Sequence, residues 1–432
     1  MEKEIKPLRC GDPVLTPKGT CVQVPEGGVT SARGFSAAAV HGGFKPNTDR
    51  LDFAMLAADE PCAAAGMFTT NVFCAPPVRV SREHLDGVCY GTARAVIINA
   101  GNANAATGSI GVERARESCR MAAEELGCCE DEVLVSSTGV IGIHLPLEPF
   151  KTALPLAVAS LSPENGAQAA RAIMTTDTHP KEAAFSFSGD EVGYPGCTFT
   201  VGGMAKGSGM IMPNMATMIS VLTTDAPIEP FYLHEALVRA VNLSFNKVSV
   251  DSDTSTNDSC YLFANGAAAP GAAAFAPGSS AFACFEEALQ AVCGNLARQM
   301  AEDGEGATRL LTVNVSGAAD EADADLAARA VANSPLVKTA VYGHDANWGR
   351  IAMAIGKSGA RFSQENVAID IMGMPVCRDG LTVPFSEEEA LLRFEEHEII
   401  FDIDLGEGDA ATTVWSCDFS HDYVSINGDY RS

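Results

Sequence analysis

The chain has 432 residues, 47% of them hydrophobic and 19% charged, and carries a formal net charge of -26. That balance supports a large soluble core. The acid excess and the lack of a basic stripe disfavour nucleic acid as a partner. No apolar run is long enough to cross a bilayer, and Met1-Glu-Lys-Glu-Ile-Lys-Pro-Leu-Arg-Cys10 has neither a secretory apolar region nor a transit-peptide composition.

In chain order, Ala95–Ala100 reads as a buried strand entering a Gly-Asn loop, and Val112–Leu126 has helical spacing. Val133–Ser137 reads as a strand that opens on the Thr138-Gly139 turn, and Thr217–Thr223 as a further strand. Glu229–Leu243 and Phe285–Met300 are amphipathic helices, and Ala267–Ala281, rich in Ala, Pro and Gly, reads as a surface insertion. Arg309–Gly317, Val337–Gly343 and Val367–Met372 are predicted strands, and Trp348–Lys357 is a predicted helix. Glu398–Leu405 and Ala411–Phe419 alternate across Gly406-Glu-Gly-Asp409, which predicts a hairpin. The pattern is that of an alternating α/β protein without an internal repeat. The fourteen cysteines are scattered without a Cys-x-x-Cys pair, so reduced thiols are expected.

The most informative segment is Ala205-Lys-Gly-Ser-Gly-Met-Ile-Met-Pro-Asn-Met-Ala-Thr-Met-Ile-Ser-Val221. It joins a Gly-rich turn bearing a cation to a Thr that enters a β-branched run. A Thr hydroxyl is a weak nucleophile unless a base takes its proton, and a free α-amine on the same residue is such a base. That amine exists only if the Ala216–Thr217 bond is cut. Two readings follow. Either Thr217 is the nucleophile of a self-cleaving precursor, or the segment is a loop entering a buried strand, with Met215 and Met218 as core filler.

The segment closely resembles the autoprocessing region of the ornithine acetyltransferase family, the bifunctional glutamate N-acetyltransferases of arginine biosynthesis. The resemblance continues in Asn99-Ala-Gly-Asn-Ala-Asn104, Ser136-Ser-Thr-Gly-Val-Ile-Gly142, Met174-Thr-Thr-Asp-Thr178 and Val250-Asp-Ser-Asp-Thr-Ser-Thr-Asn-Asp258. It extends through Asp303-Gly-Glu-Gly-Ala-Thr308, Val331-Ala-Asn-Ser-Pro-Leu-Val-Lys-Thr339, Asn347-Trp-Gly-Arg350 and Tyr423-Val-Ser-Ile-Asn-Gly-Asp-Tyr430. It therefore covers nearly the whole chain.

The resemblance implies a layered α/β (α+β) sandwich superficially like N-terminal-nucleophile hydrolases. Cleavage between Ala216 and Thr217 would give an α subunit, 1–216, and a β subunit, 217–432, assembled as a cytoplasmic α2β2 heterotetramer. Thr217 would be the nucleophile, with Thr138 and Gly139 as the oxyanion hole. Thr175, Lys206, Thr217, Glu305, Asn427 and Ser432 would bind substrate, and the adjacent Thr176 stays open as the alternative to Thr175. A lysine followed by Gly207 and Gly209, which let backbone approach a ligand closely, suits a carboxylate, and Glu305 suits the ammonium of ornithine. The implied reaction moves acetyl from N2-acetyl-L-ornithine to L-glutamate through an acetyl-Thr217 ester. No cofactor is implied; whether acetyl-CoA is also a donor stays open.

Other motifs fall away. Gly356-Lys357-Ser358 lacks the preceding Gly of a P-loop, and Asp251-x-Asp253 lacks the Gly and Glu of an EF-hand. The eight histidines show no metal-ligand spacing, so no metal is expected, and His144 and His344 read as core or surface residues. Met212 stands where many relatives carry His, and Gly428 where many carry Ala. The competing activity is a self-cleaving amidase or aminopeptidase that passes its acyl group to water. A binding protein with a structural Thr217 loop is the non-enzymatic reading.

Overall fold

The computed structural model describes residues 21–46, 50–212 and 218–429. Among them, nine strands form the first sheet: β1 (Cys21–Gln23), β2 (Phe35–Val40), β3 (Phe53–Phe68), β4 (Tyr90–Asn102), β5 (Val133–Val140), β6 (Lys181–Ser188), β7 (Thr198–Lys206), β8 (Ile219–Thr224) and β9 (Ser259–Ala264). The order is β1-β6-β7-β8-β9-β3-β4-β5, with β2 beside β3. The β8–β9 and β4–β5 pairs are parallel. Val96 and Ile98 of β4 enter one core and Ile97 enters another, so period-2 alternation buries both faces of the strand.

Four helices belong to the first part of the chain: α1 (Pro76–His84), α2 (Gly108–Leu126), α3 (Glu148–Ala159) and α4 (Gly166–Ala172). Helix α2 ends at Gly127, whose φ of 68° is the left-handed cap that glycine accepts most readily. Next come α5 (Pro230–Asn242) and α6 (Ser280–Glu302), the latter begun by the Ser279 hydroxyl accepting from the Phe282 N–H. Both contribute to one core that includes Phe185, Val201 and Leu222 of the first sheet, and the same core takes in Leu310 and Trp415 of the second. Helix α6 therefore lies in a layer shared by the two sheets. Each large apolar side chain buried there contributes roughly 1.5–3 kcal/mol.

The second sheet has β10 (Leu310–Ala318), β11 (Ala368–Ile371), β12 (Met374–Arg378), β13 (Leu381–Thr382), β14 (Glu398–Asp404) and β15 (Ala410–Cys417), in the order β13-β12-β11-β14-β10-β15. It is accompanied by α7 (Glu321–Ala332), α8 (Pro335–Tyr342), α9 (Trp348–Gly356) and α10 (Glu387–Arg393), and α11 (His421–Asp429) follows it. The layered α/β architecture agrees with the expectation from sequence.

Two local readings are corrected. Val337–Gly343 lies in helix α8 and the turn after it, not in a strand. Ser334 caps the helix by accepting from the Val337 N–H, Pro335 occupies the first turn, and Val337 and Val341 share the buried face at a spacing of four. Glu398–Leu405 and Ala411–Phe419 do not form a hairpin with each other. Strands β14 and β15 flank β10 on opposite sides, and their connection arcs over its end, where Glu407 N–H donates to the Gly317 carbonyl at 2.7 Å. The predicted insertion 267–281 is anchored, because Ala268, Ala269 and Phe275 are buried in the α5–α6 core. Strand β8 is described from Ile219; the predicted strand start, Thr217, lies outside the described residues.

Candidate functional site

Strands β7 and β8 are antiparallel neighbours with Lys206 opposite Ile219. The chain leaving Lys206 is held by acidic side chains. Gly207 N–H donates to Asp177 Oδ1 at 2.7 Å, and Met210 and Ile211 N–H donate to Asp251 at 2.6 and 2.9 Å. Ser208 accepts from the Glu305 N–H at 2.9 Å. A Cβ at Gly209 would lie 2.3 Å from the Glu305 carboxyl carbon, so a larger residue there would displace that carboxylate. Ala216 and Thr217 lie outside the described residues. Met218, next in the chain, donates its N–H to Asp258 Oδ1 at 2.9 Å.

Thr138 and Gly139 sit at the end of β5. Gly139 has φ of 131°, and a Cβ there would lie 2.4 Å from the Gly101 carbonyl carbon of β4. The Asn257 amide ties this end of the sheet to the β8–β9 end, donating to the Ala103 and Ser137 carbonyls at 2.6 and 2.9 Å. Thr138, Gly139, Lys206, Met218, Asn257 and Asp258 thereby line one cavity of about 50 Å³. A water needs about 10–15 Å³ of such space, so the cavity has room for a small group. A roomier cleft of about 620 Å³ lies between Pro227–Pro230 and Ala264–Ala274. None of the sequence-predicted site residues lines it, and Glu229 is its one charged side chain.

A buried charge network connects the other expected residues. Asp177 Oδ1 accepts from Lys181 Nζ at 2.7 Å, and Oδ2 accepts from the Thr175 N–H at 3.0 Å. Oδ2 also lies 4.0 Å from Lys206 Nζ. Lys181 reaches Asp303 Oδ2 at 2.5 Å. Burial pushes Asp177 up, but the Lys181 and Lys206 charges outweigh it and hold the carboxyl well below its usual range. Burial pushes Lys181 down, but Asp177 and Asp303 together leave it raised. Lys206 ends lowered: burial dominates and Lys181 adds to it, against the attraction of Asp177, Asp258 and Glu305. Lys181 is thus a compensated structural cation, whereas Lys206 is an under-compensated one that favours an anion.

Glu305 is almost buried and receives the Asn427 amide on Oε2 at 2.8 Å. Helix α11, which carries Asn427, is seated on the Gly306 turn. Ser420 Oγ donates to the Gly306 carbonyl at 2.5 Å, and the Phe419 and Tyr423 rings stack at 4.6 Å. Ser432 lies outside the described residues. Neither Thr175 nor Thr176 lines the small cavity.

Sequence reasoning missed the acids and the lysine that organise these groups: Asp177, Lys181, Asp251, Asp258 and Asp303. Asp177, Asp251, Asp258 and Asp303 stand inside the quoted motifs, so the signal was present without an assignment. Asp258 is fully buried, and its Oδ2 has no well-directed partner among the described residues. Burial pushes its pKa well up, opposed by the Met218 N–H, the Ser255 hydroxyl and Lys206. His144 is exposed, and His344 contacts Arg309 and Phe394. Among the described residues no cluster of three or more His, Cys, Asp or Glu could hold a metal ion, and every cysteine is free. No helix among them is long and apolar enough to cross a membrane.

The ArgJ family profile matches residues 36–432. The arginine biosynthesis bifunctional protein ArgJ of Symbiobacterium thermophilum is 48% identical over 94% of this chain and 99% of its own. The protein of the same name from Thermosynechococcus vestitus is 45% identical over 94% and 98%. A crystal structure of ornithine acetyltransferase from Mycobacterium tuberculosis, complexed with ornithine, is 36% identical over 45% of this chain and 98% of that chain, with a TM-score of 0.40.

Proposed function

The chain belongs to the ArgJ family, and from that membership we propose that it is an acyltransferase of arginine biosynthesis. It moves acetyl from N2-acetyl-L-ornithine to L-glutamate. The observation that carries the reading is the convergence of Thr138, Gly139, Lys206 and Met218 on one small cavity.

In this proposal the chain cuts itself between Ala216 and Thr217, giving fragments 1–216 and 217–432 that remain together as α2β2. The new α-amine has a reference pKa of about 7.7–8.0 and takes the Thr217 hydroxyl proton as Oγ attacks the acetamide carbonyl. The Thr138 hydroxyl and Gly139 N–H stabilise the oxyanion. As the C–N bond breaks, the proton passes to the departing amine, and ornithine leaves an acetyl ester on Thr217. The glutamate α-amine attacks that ester, releasing N-acetylglutamate and restoring the hydroxyl. Lys206 receives the carboxylate that both amino acids share, and Glu305 with Asn427 receives the ornithine ammonium. Thr175 and Ser432 complete the grip on substrate. Acetyl-CoA serves as a second donor, a proposal that rests on the word bifunctional in the relatives' names.

The test supplies acetylornithine with and without glutamate to the processed enzyme. Ornithine release that depends on glutamate, with stoichiometric N-acetylglutamate, is expected; acetate release indifferent to glutamate would identify a hydrolase instead. Thr217→Ala should stay uncut by intact mass and lose transfer. Acetyl-CoA with glutamate alone tests the second donor.

A further inference from the structure

Lys45 is a cation beside the site that no motif singled out. Its turn is fixed by the buried Asp52 carboxylate, which accepts from the Gly42 and Lys45 N–H groups at 2.6 and 2.8 Å. The side chain passes over Gly101 so closely that a Cβ there would lie 3.1 Å from Lys45 Cγ. Gly101 is the register partner of Gly139. The Lys45 amine donates to the Met174 carbonyl at 2.8 Å, immediately before Thr175. Lys45 therefore lies between the Thr138-Gly139 turn and the Thr175 loop.

Its charge is poorly compensated. Burial and Arg50 push Lys45 down, more than Asp52 and Asp177 raise it; Lys206 lowers it further, to about 8. Its hydrogen bond goes to a neutral carbonyl. Lys206 lies within electrostatic reach of both Lys45 and Glu305. The site thus has a basic pole and an acidic pole around one shared cation.

The proposed reaction exchanges two amino acids that share an α-carboxylate and differ in the side-chain terminus, an ammonium in the donor and a carboxylate in the acceptor. Glu305 suits the first and repels the second. We infer that Lys45 is the specificity-determining cation that receives the side-chain carboxylate of the acceptor amino acid. The inference rests on the acetyltransferase reading and deepens it.

The test compares glutamate with glutamine, its neutral isostere, as acceptor for processed wild-type, Lys45→Met and Lys45→Arg enzyme. A charge paired with a charge discriminates strongly against a neutral analogue. Lys45→Met should raise the glutamate KM at least tenfold more than the acetylornithine KM, and should lower the glutamate-to-glutamine ratio of kcat/KM at least tenfold. Lys45→Arg should restore most of that ratio. If Lys45→Met does not fold, Lys45→Gln is read in the same way. A merely structural lysine would depress both acceptors together, so an unchanged ratio overturns the inference while leaving the acetyltransferase reading intact. Wild-type enzyme that acetylates neither acceptor overturns both.

Discussion

The backbone N–H of Met218 donates to Asp258 Oδ1 at 2.9 Å, so a fully buried carboxyl holds the residue that follows the proposed nucleophile. Asp258→Ala removes that acceptor and should cost about 1–3 kcal/mol of stability. It should also slow cleavage at Ala216–Thr217. Burial already favours the neutral acid, so Asp258→Asn, which keeps an oxygen for Met218, should cost much less. Urea unfolding and the time course of intact mass check both variants; equal damage would mean that the carboxyl acts through its charge.

Lys181 separates two buried carboxylates, Asp177 and Asp303. Lys181→Met leaves both without their closest cation and should destabilise by about 3–5 kcal/mol. Pairing it with Asp303→Asn should recover part of the loss, because one of the stranded charges is gone. A denaturant midpoint for each variant decides; strict additivity would show that the three groups do not act together.

Thr138→Val keeps the shape of the β5 end and removes one hydroxyl from the cavity. If that hydroxyl stabilises a developing oxyanion, kcat should fall about 10²–10³-fold with little change in KM. Steady-state kinetics with acetylornithine settles it; a pure KM effect would assign Thr138 to ground-state binding.

Glu182 on β6 is pushed up to about 7 by burial, offset only in part by Arg171. Its unfolded value is about 4.3. The folded state therefore binds the proton more tightly, and the carboxyl's contribution is fully favourable below about pH 4. That contribution is lost as pH rises through 7. Relative to Glu182→Gln, which stays neutral, wild type should lose on the order of 1–2 kcal/mol between pH 5 and 8, allowing for partial exposure. Unfolding free energies of both proteins at the two pH values test the sign, and wild type gaining stability relative to Glu182→Gln from pH 5 to 8 contradicts it.

The local readings that failed did so for identifiable reasons. Val337–Gly343 contains β-branched residues, yet the Ser334 cap and Pro335 commit it to a helix whose buried positions fall four apart. In Glu398–Leu405 and Ala411–Phe419 the alternation was read correctly, but alternation does not name a strand's partner. Strand β10, far earlier in the chain, takes the place between them. Of the expected site, Thr138, Gly139 and Lys206 line one cavity and Glu305 meets Asn427; Thr175 reaches Lys206 only through Asp177.

By itself, the order of residues determined the alternating α/β class, the motif segments and the kinds of chemistry they can hold: a Thr hydroxyl, a Thr-Gly turn, a lysine followed by Gly207 and Gly209. These are local properties, set by side-chain chemistry and backbone freedom. Which cation is locked and which is available to a ligand was decided only by the tertiary structure. Lys181 and Lys206 are both buried lysines, and what separates them is the Asp303 carboxylate, brought to Lys181 from 122 positions away. Electrostatic strength depends on distance and burial rather than on sequence separation, so the polarity around Lys206, with Lys45 and Glu305 within its reach, exists only in the folded chain.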